Sequence, residues 1–452
     1  MNRLIPTGAL AATLTLAGGL VLAAASPAPA DNTSGTEQRA LAAFSKIELD
    51  VPYNVTVTAQ GASALELSGP RKLFADIDTT VVGDTLIVHA RRRAGISIHF
   101  GKAPPPPLIH ITLPALSSLK TAGSGDVTLE RYQGPQLALN AAGAGNVRAA
   151  GQTPLLQLRV GGSGDVDLRQ LAAASLAATM EGAGNVRASG ITQQLDADLS
   201  GSGDLEIGDL HAARVSITQH GAGNIKLAGS GAELRAELSG SGDLEACALS
   251  AGAVTAMLRG AGNACVAGDI RKFDAEVHGS GDLTARGLQT QNARVLLSGA
   301  GNMTLSGGSA TLNADVSGSG DLDATRLPVA RAVTRSRGAG NIKLGKVSDA
   351  LEGEIRGSGD LSASTGGKHV KLTMSGAGEV QLDGQTDNLV AQLSGSGDLD
   401  ARRLTTAHAE VVVQGPGSAV VNVKGRLDTS GRATQSERSR LITIDRAGTH
   451  DE

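Results

Sequence analysis

Aromatic side chains are nearly missing from this sequence, which carries no Trp, two Tyr and four Phe among 452 residues. Such groups supply much of the volume of a large globular core, so their scarcity argues against two or three conventional domains. Cysteine is scarce as well: Cys247 and Cys265 are the only two, too few for a disulfide framework. Neither sign of charge dominates, since 40 basic and 44 acidic residues leave a net charge of −4. That mild acidity gives no electrostatic reason for a nucleic acid or an anionic membrane as partner. What the chain does have is 61 Gly and a 40% hydrophobic content carried by Ala, Leu and Val, too much for a disordered polymer. Small residues with regularly spaced aliphatics suit a thin core between closely facing walls.

Residues 1–30 read as a secretory signal peptide. Arg3 supplies the positive start, residues 9–25 form an apolar run, and Ala28-Pro29-Ala30 gives a small-x-small cleavage pattern before Asp31. The alternative is a membrane anchor, but the run is rich in Ala, Gly and Thr and only weakly apolar for a span. No Cys follows it and no later segment approaches a membrane helix, so no transmembrane span is expected after cleavage. The expected location is the periplasm or the cell surface.

A repeat dominates the remainder. The last residues of successive Gly-Ser-Gly-Asp and Gly-Ala-Gly-Asn turns are Asp126, Asn146, Asp165, Asn185, Asp204, Asn224, Asp243, Asn263, Asp282, Asn302, Asp321, Asn341, Asp360, Glu379 and Asp398, with a degenerate copy at Gly415-Pro416-Gly417-Ser418. Most steps alternate 20 and 19 residues, making a 39-residue double unit. Between turns the period is two: Leu234, Ala236, Leu238, Leu244 and Ala246 alternate with Arg235, Glu237, Ser239, Asp243 and Glu245. That is the pattern of half-buried strand. Asp-bearing units add an aliphatic six residues on, at Leu171, Leu210, Leu249, Leu288, Leu327 and Leu404; Asn-bearing units instead place Gly five residues on, at Gly151, Gly190, Gly229, Gly268 and Gly307.

Twenty residues are too few for a helix-pair repeat. The expected fold is all-β: a single-stranded parallel β-helix, or β-solenoid, of about 16 rungs and roughly 75 Å in length. Right-handed coiling is favoured because parallel crossovers are overwhelmingly right-handed. The turn glycines are expected to bend the chain through backbone angles closed to other residues and to admit the opposite wall closely. Asp and Asn tolerate left-handed angles and bond nearby amides, and stacking turns them into a structural ladder. Consecutive acids would sit about 4.8 Å apart; interleaved Asn is expected to donate to the carboxylates above and below it and to space the charges by nearly 10 Å.

The expected organisation around this region is a flexible leader over 31–43, a strand-rich cap or set of early rungs over 44–115, the solenoid over 116–425 and a polar tail over 426–452. Gly83-Asp84 reads as a hairpin turn between strands, and Pro104–Pro107 as a stiff break. The tail, with Arg426, Arg432, Glu437, Arg438 and Arg440, is expected to cover one exposed sheet end.

Phe44–Val57 has the form F-x-x-I-x-x-x-x-P-x-x-V-x-V, and Ile111–Leu116 the form I-T-L-P-x-L. With the tandem G-S-G-D turns, these segments resemble the bacterial GIN-domain family, described as the head of auto-transporter adhesins and formally a domain of unknown function. The resemblance implies a right-handed β-helix, an envelope location and an adhesive role, with no catalytic residue to carry over. The sequence shows no C-terminal β-barrel pattern, so self-translocation is not expected.

Candidate chemistry is sparse. Calcium wants six to eight oxygens around one ion, whereas the ladder acids recur every 39 residues. A polysaccharide-modifying enzyme needs two acids at a defined separation and a local irregularity that uniform rungs do not offer. His211, His220, His278, His369 and His408 are scattered in phase and read as solvent-exposed. Cys247 and Cys265 fall on neighbouring rungs, one rung up and two residues across, an expected separation of about 8 Å, beyond ordinary disulfide reach unless a local shift closes it. No nucleophile triad, phosphate loop or nucleotide fingerprint stands out. The sequence therefore assigns no catalytic residue, cofactor or metal. It points to a non-catalytic rod that binds a surface or envelope ligand, polysaccharide or protein, or that associates with itself end to end.

Overall fold

The computed structural model describes residues 34–91, 105–435 and 441–445. The expected signal peptide, residues 31–33, Pro104, and Glu437, Arg438 and Arg440 of the tail lie outside the described residues. Strand makes up 69% and helix 2%, arranged as a parallel β-solenoid of about 16 turns.

The expected period of two holds along each wall and slips at both corners of an Asp-bearing rung. After Asp165 the buried residues are Val166 and Leu168, then Leu171 and Ala173, then Leu176, Ala178 and Met180. Spacing is two within a wall and three across a corner, so each corner spends one extra residue to turn the backbone while keeping the apolar side inward. Three walls result. Leu171, Leu210, Leu249, Leu288, Leu327 and Leu404 all open the second wall and are buried, each contributing on the order of 2 kcal/mol from burial. Successive rungs stack in parallel register, as Leu205, Ile225, Leu244, Ala264, Leu283 and Met303 show on the first wall. The largest polar intruder among the described residues, Gln219, stands in an apolar column between Leu199 and Leu238 and donates its Nε2 to the Gly223 carbonyl.

The 39-residue unit has a structural cause at the first corner. Arg148 lies opposite Asp167, but Ala150 lies opposite Gln170; the Asp rung carries one more residue there than the Asn rung beneath it. The shorter rung closes the corner with Gly151 at φ +134°, where a Cβ would stand 2.0 Å from the Tyr132 carbonyl oxygen. Gly229 and Gly307 repeat this approach against Leu210 and Leu288.

The turn glycines differ from expectation. Among the described residues none of those in the repeated turns has a left-handed φ, and neither do the ladder residues. Their value is the absent side chain: a Cβ on Gly143, Gly162 or Gly201 would lie 2.0, 1.9 or 2.0 Å from the carbonyl oxygen of the glycine one rung below. Left-handed angles occur instead at the first corner, in non-glycine residues at Arg131 (φ 50°) and Asp209 (φ 49°).

At the amino end, β1 (Ser34–Arg39), β2 (Lys46–Asp50), β3 (Val55–Thr58), β4 (Ala64–Pro70), β5 (Ile77–Val82), β6 (Thr85–Ala90), β7 (Leu108–Thr112), β8 (Ser118–Thr121) and β9 (Val127–Gln133) interleave. The rung β2–β3 is sandwiched in parallel between β6 and β8 on one wall and between β7 and β9 on the other. Chain order therefore departs from stacking order: the Leu113–Ser117 segment returns across β2–β3, with Leu113 donating to the Thr58 carbonyl and Ser117 to that of Ser45. β5 and β6 form the expected hairpin about Gly83-Asp84. The expected flexible leader is corrected in part, because residues 34–39 are a strand paired antiparallel with β4. Arg39 secures it by donating to the carbonyls of Phe74 and Ile77.

At the other end the last parallel strand, Ala419–Thr429, runs beyond the expected boundary at Gly425; its first part, Ala419–Asn422, is covered by antiparallel Leu441–Asp445, which pairs in turn with Arg432–Gln435. Ile444 is buried there, closing the core.

The stacking argument predicts a contrast between two glycines on one rung. Gly201→Ala forces Cβ into the Gly182 carbonyl and should lower the melting temperature by several degrees, a loss of about 2 kcal/mol or more. Gly208→Ala, with no atom within 4 Å of the new Cβ, should leave it essentially unchanged; thermal unfolding followed by circular dichroism checks both.

Candidate functional site: the ladder edge and the groove beside it

Where the turns stack, ordinary strand pairing is interrupted and each ladder residue's amide would lack an acceptor. The side chain one rung below supplies it from Asp126 to Glu379, and again at Ser418. Asp126 Oδ1 accepts the Asn146 amide at 2.9 Å and Asn146 Nδ2 at 3.0 Å. Asn146 Oδ1 then accepts the Asp165 amide at 3.0 Å, and Asp165 Oδ1 accepts both the amide and Nδ2 of Asn185. The same pattern runs through Asp204, Asn224, Asp243 and Asn263 and on through Asp282, Asn302, Asp321, Asn341 and Asp360. Glu379 donates its amide to Asp360 at 2.8 Å. At the ends, Asp126 donates its amide to Asn54 Oδ1 at 3.3 Å, and Ser418 donates its amide and hydroxyl to Asp398.

The ladder is directional, which corrects the expectation that Asn donates to both neighbours. Its Nδ2 reaches only the preceding Asp, because its single carbonyl oxygen is committed to the next rung's amide. Asn54, a ladder member, escapes a motif search because no Gly-x-Gly precedes it.

A second column stands two residues beyond the first. Arg148, Asp167, Arg187, Glu206, Lys226 and Glu245 occupy successive rungs in register, alternating in sign. Arg187 lies 3.6 Å from Glu206 and 4.0 Å from Asp165; such exposed pairs contribute at most about 1 kcal/mol each. The next member, Cys265, faces Glu245 and is disulfide-bonded to Cys247, with Cα atoms 5.2 Å apart. The expected separation of about 8 Å is thus corrected. Register is lost between Ala246 and Ser250, so the corner carries Cys247 back over the neighbouring rung.

The five histidines stay apart. His220 and His278 each bond a serine on the next rung, Ser239 and Ser298, at 2.6 Å; His278 also meets Glu276, His211 lies by Asp209 and His369 by Asn388. Among the described residues no three His, Cys, Asp or Glu side chains are grouped for a metal ion.

One concavity stands out beside the ladder. A groove of about 860 Å³ is lined by Glu130, Arg131, Arg148, Ala150, Asp167 and Arg169, among others. The longer corners of the Asp126 and Asp165 rungs form its sides, and the shorter Asn146 rung, with Ala149 and Ala150, forms its floor. Asp167 accepts from Arg169 Nε at 2.9 Å and Nη2 at 2.7 Å. That bidentate guanidinium, aided by the Arg169 amide, holds the carboxyl down at about 2 against burial. Sequence reasoning did not find this groove; the visible signal was the sign alternation two residues after the ladder positions from Asn146 to Asp243.

These features define a rod-shaped parallel β-solenoid whose turns stack along one side-chain ladder. The family described as "Putative auto-transporter adhesin, head GIN domain" matches residues 43–228, 210–271, 266–367 and 348–434, and the chain belongs to that family. Solved structures similar to it include a putative adhesin from Bacteroides fragilis (16% identity, TM-score 0.23, covering 77% of this chain and 97% of that one). Others are a putative adhesin from Parabacteroides merdae (14%, 0.26, 75% and 96%) and a putative lipid binding protein from Parabacteroides distasonis (14%, 0.20, 78% and 98%). No curated protein matches the chain.

Two outcomes follow for the edge. Asn224→Asp, which removes an Nδ2 bond and sets three carboxylates on consecutive rungs, should destabilise by about 1–3 kcal/mol at neutral pH. The loss should shrink in acid, where protonation removes the repulsion; melting curves across pH test it. For the staple, thiol titration of the unfolded, unreduced protein should find no free thiol, and Cys247→Ser with Cys265→Ser should melt several degrees lower while keeping the β-rich spectrum.

Proposed function

We propose that this protein is an exported, non-catalytic β-solenoid of the bacterial envelope that works by binding a surface or envelope ligand, an adhesin-like role. The observation that carries the reading is the match of an adhesin-head family to a rod whose outward side chains repeat in register from rung to rung. A rigid scaffold of this kind offers long, repetitive polar faces to an extended partner. The bonded Cys247–Cys265 pair supports an oxidising compartment and hence export. Binding is favoured over catalysis because the ladder oxygens already accept backbone amides and successive rungs are alike. Antiparallel strands at the amino end and over Ala419–Asn422 at the other weigh against end-to-end polymerisation, since there they replace the parallel edge a second rod would extend.

Fractionation of the producing cell, paired with an attachment assay, tests the proposal. The protein should be found in the periplasm, outer surface or medium. A deletion strain should bind its host surface or matrix less well, with purified protein competing for the same sites. Recovery in the cytoplasm, or undiminished attachment together with no retention of the protein on any envelope or surface polymer, would sink it.

A further inference from the structure

The groove over the Asp126, Asn146 and Asp165 rungs holds three arginines, of which only one has a hydrogen-bonded side chain among the described residues. Arg169 is bound to Asp167 through two hydrogen bonds. The side chains of Arg131 and Arg148 have no hydrogen-bond or ion-pair partner within the limits of those contacts among the described residues, although Glu130 and Asp167 also line the groove. Counting all five charged side chains, the groove is left with one surplus positive charge, and two guanidiniums remain open to a planar anion.

Their placement is built in by the backbone. Arg131 sits at a bulged corner with a left-handed φ of 50°, and the next residue, Tyr132, is buried with its hydroxyl donated toward the carbonyls of Leu116 and Gln136. That anchor fixes where Arg131 leaves the surface. Arg148 rises from the neighbouring rung in register with Thr128 and Asp167. Leu129 and Ala149 turn their side chains into the core, so the floor offers the half-buried Ala150 as its small apolar surface, while Thr128 and Gln170 bring hydrogen-bonding groups to the sides.

We infer that this groove is a binding site for a uronic-acid oligosaccharide, with Arg131 and Arg148 receiving a sugar carboxylate. Guanidinium recognises a carboxylate through paired, parallel N–H donors. Thr128, Glu130 and Gln170 are placed for hydroxyls, and the small apolar floor suits the C–H face of a pyranose ring. The Asp167–Arg169 pair acts as a positioning unit: with its carboxylate hydrogen-bonded to Arg169, Asp167 attracts Arg148 through charge but makes no hydrogen bond or close ion pair with it. This deepens the binding function proposed above and rests on it.

Titration calorimetry of the full chain with short oligogalacturonides, neutral malto-oligosaccharides and sodium acetate tests the assignment. Oligogalacturonides should bind and malto-oligosaccharides should not. Arg148→Ala and Arg131→Gly, the latter suited to the local backbone angle, should each weaken binding about tenfold. Arg294→Ala, on the third wall, should leave it unchanged. Arg169→Ala should weaken binding and move the Asp167 carboxyl, followed by carbon NMR, up from about 2 toward the ordinary carboxylate range. Absence of oligogalacturonide binding, or displacement by acetate at equal concentration, overturns the saccharide assignment. Full binding by the doubly substituted Arg131→Gly, Arg148→Ala protein overturns the groove as its site. If that doubly substituted protein still attaches to the natural surface, the groove reading falls while the adhesin-like function stands; if the intact chain binds oligogalacturonide but no natural surface, it is the adhesive role that falls.

Discussion

The structure depends on how closely one turn backbone lies upon the next. At the ladder edge the carbonyl oxygen of each turn glycine occupies the place where the next glycine's Cβ would be, about 2 Å away for Gly143 over Gly123 and for Gly162 over Gly143. This contact brings the ladder side chains within hydrogen-bond reach of the amides above them. A larger residue would part the rungs locally, cost the amide its acceptor, and open the aliphatic columns to water. Glycine, ladder and core therefore stand or fall together, and none is independent of the stacking distance.

The alternation of Asp and Asn follows from the same closeness. A carboxylate is the stronger acceptor for the amide above it, but repeated on every rung it would repel its copies. Asn, a weaker acceptor, still takes the amide above it without adding charge, and it adds a donor for the Asp below, as Asn185 does for Asp165. The sign alternation two residues further on, from Arg148 to Glu245, has the same rung parity, with acids on Asp rungs and bases on Asn rungs. Charge is thereby spread in small alternating steps over these rungs, and the arginine-lined groove lies where the regular rungs begin.

Length parity at the first corner links this electrostatic pattern to shape. The longer Asp rung bulges, as at Arg131 and Arg169; the shorter Asn rung draws in, as at Ala150 and Gly151. Recesses are a consequence of a 20/19 alternation, and side chains on the flanking bulges decide what a recess will hold. A uniform scaffold thus carries a specific site without breaking its stack.

The sequence by itself determined the β-solenoid, its period, the inward aliphatics such as Leu210 and Leu288, and the identity of the ladder residues, because these depend on spacing along the chain and recur many times. The GIN-family resemblance was equally legible in Phe44–Val57 and Ile111–Leu116. Tertiary structure alone decided the remainder. The Cys247–Cys265 bond depends on a register slip; the direction of the Asn bonds depends on which rung lies beneath; and the sandwiching of β2–β3 between later strands reverses chain order. Arg131, Arg148 and Arg169 are ordinary surface residues in one dimension. They meet because stacking carries positions about twenty residues apart to within a few ångströms, and because unequal corners leave a hollow between them.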